Sequence, residues 1–142
     1  MMVKVFVDGA SRGNPGPAGI GFVIIDSGGR ILERRGRYVG VATNNQAEYL
    51  ALIEALEACI KAGASRVEVF SDSELLVKQM KGEYRVRNPH LIALHRKARE
   101  LEKLFNDVTY HHIPREANLQ ADKLANEAID RGALEFRKSN MG

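Results

Sequence analysis

The chain has 142 residues, 44% of them hydrophobic, which suits one domain with a proper core. Its formal net charge of +3 and pI of about 9.1 tilt its partners toward polyanions, and a single cysteine, Cys59, excludes an internal disulfide or a thiolate metal cluster. No apolar run approaches the ~20 residues of a membrane helix, and Asp8 breaks the first such run too early for a signal peptide, so the expectation is a cytoplasmic monomer with no membrane partner.

Val3, Val5 and Val7 alternate with Lys4 and Phe6, the period of a strand, and the run ends on Asp8 in "VFVDGAS" (residues 5–11). "GASRGNPGPAG" follows as a loop whose glycines and prolines forbid regular structure. "GIGFVIID" and "RILERRGRYVGV", joined by "SGG", read as an antiparallel hairpin. "TNNQAEYLALIEALEACIKAG" is a helix. Thr43 and Gln46 have capping-box spacing, Gly63 suits the C-terminal cap, and the apolar stripe runs through Ala47, Leu50, Ala51, Ile53, Leu56 and Ile60. A second strand, with Val67 and Val69 alternating with Glu68 and Phe70, ends on Asp72 in "VFSDSEL" (residues 69–75). A short helix from Glu74 to Lys81 stops at Gly82. Asn88 and Pro89 then open a helix whose buried face carries Leu91, Leu94, Ala98, Leu101 and Phe105. A last strand, "VTYHHI", ends at Pro114, and a last helix runs from Asn118 to Gly132. The order is βββαβααβα, with residues 1–132 as the domain and residues 133–142 as a flexible C-terminal tail.

Two strands thus deliver an aspartate to their carboxyl ends, the edge where ligand sites form in sheets covered by helices. Glu48 lies early in the first long helix, flanked by Ala47 and Leu50 rather than on the outer face with Glu54 and Glu57, and should point inward. Asp122 lies in the first turn of the last helix. Taken singly, each has a bland reading as a turn, cap or helix-dipole residue. Four carboxylates at strand ends or helix starts converge on one edge. Hard oxygen donors favour Mg²⁺ or Mn²⁺ over zinc, and two ions ~4 Å apart suit in-line attack on a phosphodiester. His111 and His112 are adjacent on a strand and point to opposite faces, which makes them structural; His90 and His95 sit on an exposed part of a helix.

The motifs "DGASRGNPGPAGIG" at 8–21, "TNNQAEYLALIEAL" at 43–56, "VEVFSDSELLVKQM" at 67–80 and "PREANLQADKLANEA" at 114–128 resemble, in order and over nearly the whole chain, the type 1 ribonuclease H family. The resemblance implies an α/β ribonuclease H-like fold: a five-stranded mixed sheet, three antiparallel strands followed by two parallel ones, with helices on both faces. It implies two Mg²⁺ ions, replaceable by Mn²⁺, held by Asp8, Glu48, Asp72 and Asp122. Asn14, Asn44 and Asn45 match amides that read ribose hydroxyls in an RNA/DNA hybrid. Thr43 matches a DNA-phosphate position, and Gly9 to Gly13, with Arg12 among them, a stretch where the backbone approaches the RNA strand.

Two departures stand out. Where many members carry a histidine in a loop before the last aspartate, this chain has "PREANLQAD", and the equivalent place falls to Arg115, whose permanent charge can hold a phosphate or leaving group. Where some members insert a basic, tryptophan-bearing protrusion, "KGEYRVRNPH" crosses directly between helices, leaving Lys78, Lys81, Arg85 and Arg87 as the nearest cations. The expectation is an endoribonuclease that cuts the RNA strand of RNA/DNA hybrids and leaves 5′-phosphate and 3′-hydroxyl ends, with double-stranded RNA a second candidate substrate. The alternatives are a module that binds hybrid or double-stranded RNA without cutting, and a junction resolvase or integrase, which the ribose-suited amides disfavour.

Overall fold

The computed structural model describes residues 1–141, apart from the side chains at 136, 137, 140 and 141. Three strands, β1 (Met2–Ser11), β2 (Gly16–Asp26) and β3 (Ile31–Ala42), form an antiparallel meander. Next to β1 on its other side, β4 (Arg66–Ser71) and then β5 (Asp107–His112) run parallel to it, giving the order β3-β2-β1-β4-β5. The helices are α1 (Asn44–Lys61), α2 (Glu74–Met80), α3 (Pro89–Glu102) and α4 (Leu119–Met141), with a single 3-10 turn at Arg115–Ala117. This is the mixed sheet that the resemblance implies. Among the described residues no helix is long and apolar enough to cross a membrane.

Strand alternation sorts the side chains into two layers. Val3, Val5 and Val7, with Ile20, Phe22, Ile24, Val67 and Val69, face α1 and form the main core with Leu52, Leu56, Leu76 and Met80. The other face of β2 presents glycine. A Cβ on Gly19 would lie 2.5 Å from the Ala125 carbonyl oxygen of α4, and one on Gly21 would lie 2.2 Å from that of Ala121. The helix therefore lies with its backbone against the strands at Ala121 and Ala125, with the side chains of Leu124 and the buried Ile129 beside them.

These close approaches overturn two expectations. The glycine-rich stretch after Asp8 is not a loop: β1 continues to Ser11 and β2 begins at Gly16, with Gly9 opposite Ile20 and Ser11 opposite Ala18, so that only residues 12–15 turn. At Gly9 and Gly19 glycine is there because the backbones of α1 and α4 occupy the side-chain space, whereas Gly13 and Gly16 serve the turn itself. Helix α4 does not stop at Gly132 but runs to Met141. A Cβ on Gly132 would sit 2.1–2.6 Å from ring atoms of Tyr38, so this glycine makes room for an aromatic ring of β3.

Punctuation elsewhere is as read. Thr43 Oγ1 accepts from Gln46 N–H at 3.1 Å and Gln46 Oε1 accepts from Thr43 N–H at 2.8 Å, a complete capping box, and Asn88 caps α3. The apolar face of α1 is broader than its predicted stripe: Tyr49, Leu52, Ala55 and Cys59 are also buried, because α3 packs on the side of α1 away from the sheet. His95 belongs to that packing rather than to an exposed surface. Its ring meets Tyr49 edge-on at 6.2 Å, and burial lowers its pKa. His111 stacks on Phe70 at 4.9 Å.

Candidate active site

The last paired residues of the parallel neighbours β1 and β4 are Val7 and Ser71. The next residue of each is an aspartate, so Asp8, still paired with Gly21 of β2, and Asp72, just past the end of β4, stand side by side where the two parallel strands part. Gly9 follows Asp8, and a Cβ there would fall 2.2 Å from the Ala47 carbonyl carbon of α1 and 2.4 Å from the Glu48 amide nitrogen. Lacking one, the strand touches the first turns of α1 directly. One carboxylate oxygen from each of Asp8, Glu48 and Asp72 lies within 4.8 Å of the others. Asp122 stands outside that group but its carboxylate contacts Asp8, so that Asp8 is common to both sides of the cluster.

Electrostatics show how unfavourable this arrangement is for bare carboxylates. Asp8 is 4% exposed, and burial, then the charges of Asp72 and Asp122, push its carboxyl up to about 8. Burial first, and then Asp8 and Asp72, raise Glu48 well above the usual carboxylate range. Glu48 Oε2 is sealed from solvent and has no hydrogen-bond partner. Buried acceptors almost always have one. Three crowded acids with an orphaned oxygen are a donor set for a hard divalent cation, whose charge relieves the repulsion and whose coordination fills the empty lone pairs. The residues present fit such an ion.

The carboxylates floor an open cleft of about 510 Å³. Gly9, Asn44, Asn45 and Arg115 line it, as the sequence predicts, and so do Ser73 and Asn126, which the sequence reading passed over. Arg115, on the 3-10 turn, places Nη2 3.9 Å from Asp122 Oδ1 with its side chain 76% exposed. Asn44 Oδ1 accepts from Ser11 N–H at 2.9 Å, and Asn14 Oδ1 from Asn44 N–H at 3.1 Å, so the three segments are tied together at the rim. Gly13 takes a positive φ of 105° in the turn beside Asn14. Thr43 is occupied as the α1 cap. Arg12 is not brought to the cleft: it pairs with Asp130 of α4.

Residues 6–128 match the family model described as reverse transcriptase-like. The crystal structure of RNase H1 from Halobacterium salinarum has a TM-score of 0.90 to this chain at 46% identity, covering 92% of this chain and 99% of that one. The chain belongs to the type 1 ribonuclease H family. The ribonuclease HI of Halobacterium salinarum is 48% identical over 128 residues, which are 90% of this chain, and the match spans 64% of that relative's length. A further ribonuclease H, LC11-RNase H1 in complex with an RNA/DNA hybrid, matches at 45% identity with a TM-score of 0.88, covering 92% of this chain and 99% of that one.

Ser73 was hidden from a reading of the ribonuclease H motifs because it looks like a helix cap, and it is one: its side chain accepts from Leu76 N–H at 3.2 Å. Asn126 carried a signal that went unused. It follows Asp122 by four residues, one helical turn on the same face.

Proposed function

We propose that this chain is a divalent-metal-dependent endoribonuclease that cuts the RNA strand of RNA/DNA hybrids. The observation that carries the reading is the convergence of Asp8, Glu48 and Asp72, from three separate elements, to within 4.8 Å around an orphaned carboxylate oxygen. Its relatives named ribonuclease H, one of them solved with a hybrid, support the substrate class.

In this reading Asp8, Glu48 and Asp72 hold one Mg²⁺ and Asp8 and Asp122 a second, with Mn²⁺ able to replace either. When bound, the ions supply positive charge to the scissile phosphate and make water a better nucleophile at neutral pH. The chain's own groups do the rest. Asn126 Nδ2, 3.2 Å from Asp122 Oδ1, holds the Asp122 carboxylate. Arg115, exposed on the rim, takes a phosphate or leaving-group oxygen. With the Oδ1 atoms of Asn14 and Asn44 already engaged by N–H groups, their Nδ2 hydrogens stay free for ribose 2′-hydroxyls; Asn45 stands beside them. Thr43 and the Gly9–Gly13 backbone complete the strand contacts. Double-stranded RNA is the second substrate to test. We place the working domain in residues 1–132, as a monomer in a reducing cytoplasm, a setting that suits a chain whose single cysteine is buried.

The test is cleavage of an RNA/DNA hybrid labelled on the RNA strand, in chelator and after Mg²⁺ is restored. Fragments with 5′-phosphate and 3′-hydroxyl ends that appear only with the metal are the expected result; cutting in chelator contradicts it.

A further inference from the structure

Helix α4 turns a polar stripe toward the cleft and the 12–15 turn. Asp122, Asn126 and Asp130 recur at intervals of four, stacked on one helical face. Asn126 Nδ2 donates to the Asp122 backbone oxygen at 3.0 Å and to Asp122 Oδ1 at 3.2 Å. One turn further, Arg12 reaches across from the β1–β2 turn, and its two Nη atoms take separate acceptors. Nη2 donates to the Asn126 backbone oxygen at 3.2 Å, and Nη1 pairs with Asp130 Oδ1. Two residues after Arg12 comes Asn14, joined through its Oδ1 to the first residue of α1.

We propose that Arg12, Asn126 and Asp130 form a latch that holds the 12–15 turn in register with Asp122, so that Arg12 and Asn126 are positioning residues rather than substrate contacts. The inference rests on the hybrid-cleaving reading for its substrate. Its physical basis is the pairing of two constraints on one helix face. A carboxylate ligand needs a partner that fixes which oxygen faces the ion, and Asn126 supplies it to Asp122. A planar guanidinium with a fixed fork suits two acceptors a helical turn apart. With Arg12 46% and Asp130 64% exposed, the pair is a weak tether on its own. Its use is registration: the turn carrying Asn14 and the carboxylate of Asp122 are set by one residue, Asn126, whose backbone oxygen takes Arg12 and whose side-chain amide takes Asp122.

A phosphate contact by Arg12 predicts the opposite pattern, so a double-mutant cycle decides between them. KM and kcat on a hybrid are measured for wild type, Arg12→Ala, Asp130→Ala and the double variant, alongside amide exchange at Arg12, Gly13 and Asn14 in the free protein. The latch predicts that each single variant raises KM several-fold, that the double is no worse than Arg12→Ala, and that exchange quickens alike in all three. A silent Asp130→Ala, or factors that multiply, overturns it in favour of a phosphate contact. For Asn126→Ala, a titration with Mg²⁺ alone, read as the rise in Tm without substrate, should need roughly tenfold more ion, the scale on which lost outer partners weaken metal sites. An unchanged titration removes Asn126 from the latch. If exchange and Mg²⁺ titration behave as expected while wild type leaves the hybrid uncut, the latch stands and the hybrid-cleaving reading falls.

Discussion

Gly9 and Glu48 meet backbone to backbone: the Cβ that Gly9 lacks would lie 2.4 Å from the Glu48 amide nitrogen. A methyl group cannot enter that gap without lifting α1 from β1. Gly9→Ala is therefore expected to cost about 1–3 kcal/mol, the scale of overpacking a tight contact, and to cut turnover well beyond what that loss explains, because Glu48 moves away from Asp8. Urea midpoints and initial rates check this. Wild-type turnover in the alanine variant would remove the backbone contact from the account of the site.

Gly132 offers a stability test with a reversed sign. In a helix interior, alanine for glycine normally stabilises by about 1 kcal/mol. Here the added methyl meets the Tyr38 ring at 2.1–2.6 Å, so Gly132→Ala should destabilise. In a Tyr38→Ala background the same substitution should turn stabilising. Thermal melts of the four proteins give the answer.

How much of this was legible beforehand divides along a physical line. Periodicity and caps are local, and they located Asp8, Asp72, the capping box at Thr43 and the start of α3. Close approach between distant segments is not local. Gly9 and Gly19 look like loop glycines until Ala47 and Ala125 lie on them, and Gly132 looks like a helix stop until Tyr38 occupies its space. The same limit concealed the work of Arg12, which in sequence is one more cation in a glycine-rich stretch, and of Asn126, which resembles a solvated helix residue.

Asp8 sets the pH dependence. Its carboxyl titrates at about 8 in the folded protein against 3.8 ordinarily, burial being the largest cause. Between those values the native state binds more protons than the unfolded one, so stability without metal falls as pH rises through that window, by up to about 1.4 kcal/mol per pH unit for each net proton. In chelator, Tm should drop from pH 5 to pH 8, more shallowly in Asp8→Asn, which has no proton to lose there. Mg²⁺ competes with that proton, so its stabilising effect should grow with pH. Asp8→Asn and Asp72→Asn should both abolish turnover while remaining folded. A flat wild-type profile in chelator would contradict the crowding of charge at Asp8.

Arg115 is tested by losing its charge. With its side chain 76% exposed and 3.9 Å from Asp122, it contributes little to the fold, and Arg115→Ala should leave stability within about 0.5 kcal/mol of wild type. Turnover should fall at least roughly tenfold if the guanidinium meets a developing negative charge. The pH–rate profile should lack a histidine limb near 6.5. A limb there that vanishes in His112→Ala would transfer the role to that residue.

The central claim, metal-dependent cutting chosen by the sugar, is tested most directly by initial cleavage rates on matched duplexes whose cut strand carries one, two, four or only ribonucleotides, with an all-DNA control. Each 2′-hydroxyl lost should cost roughly 1 kcal/mol, one net hydrogen bond, so rates should climb steeply with the ribonucleotide run and all-DNA duplex should stay intact, with Asn44→Ala flattening the climb without altering the Mg²⁺ requirement. Equal rates across the series, or equal cutting of the all-DNA duplex, would contradict the account and favour a resolvase.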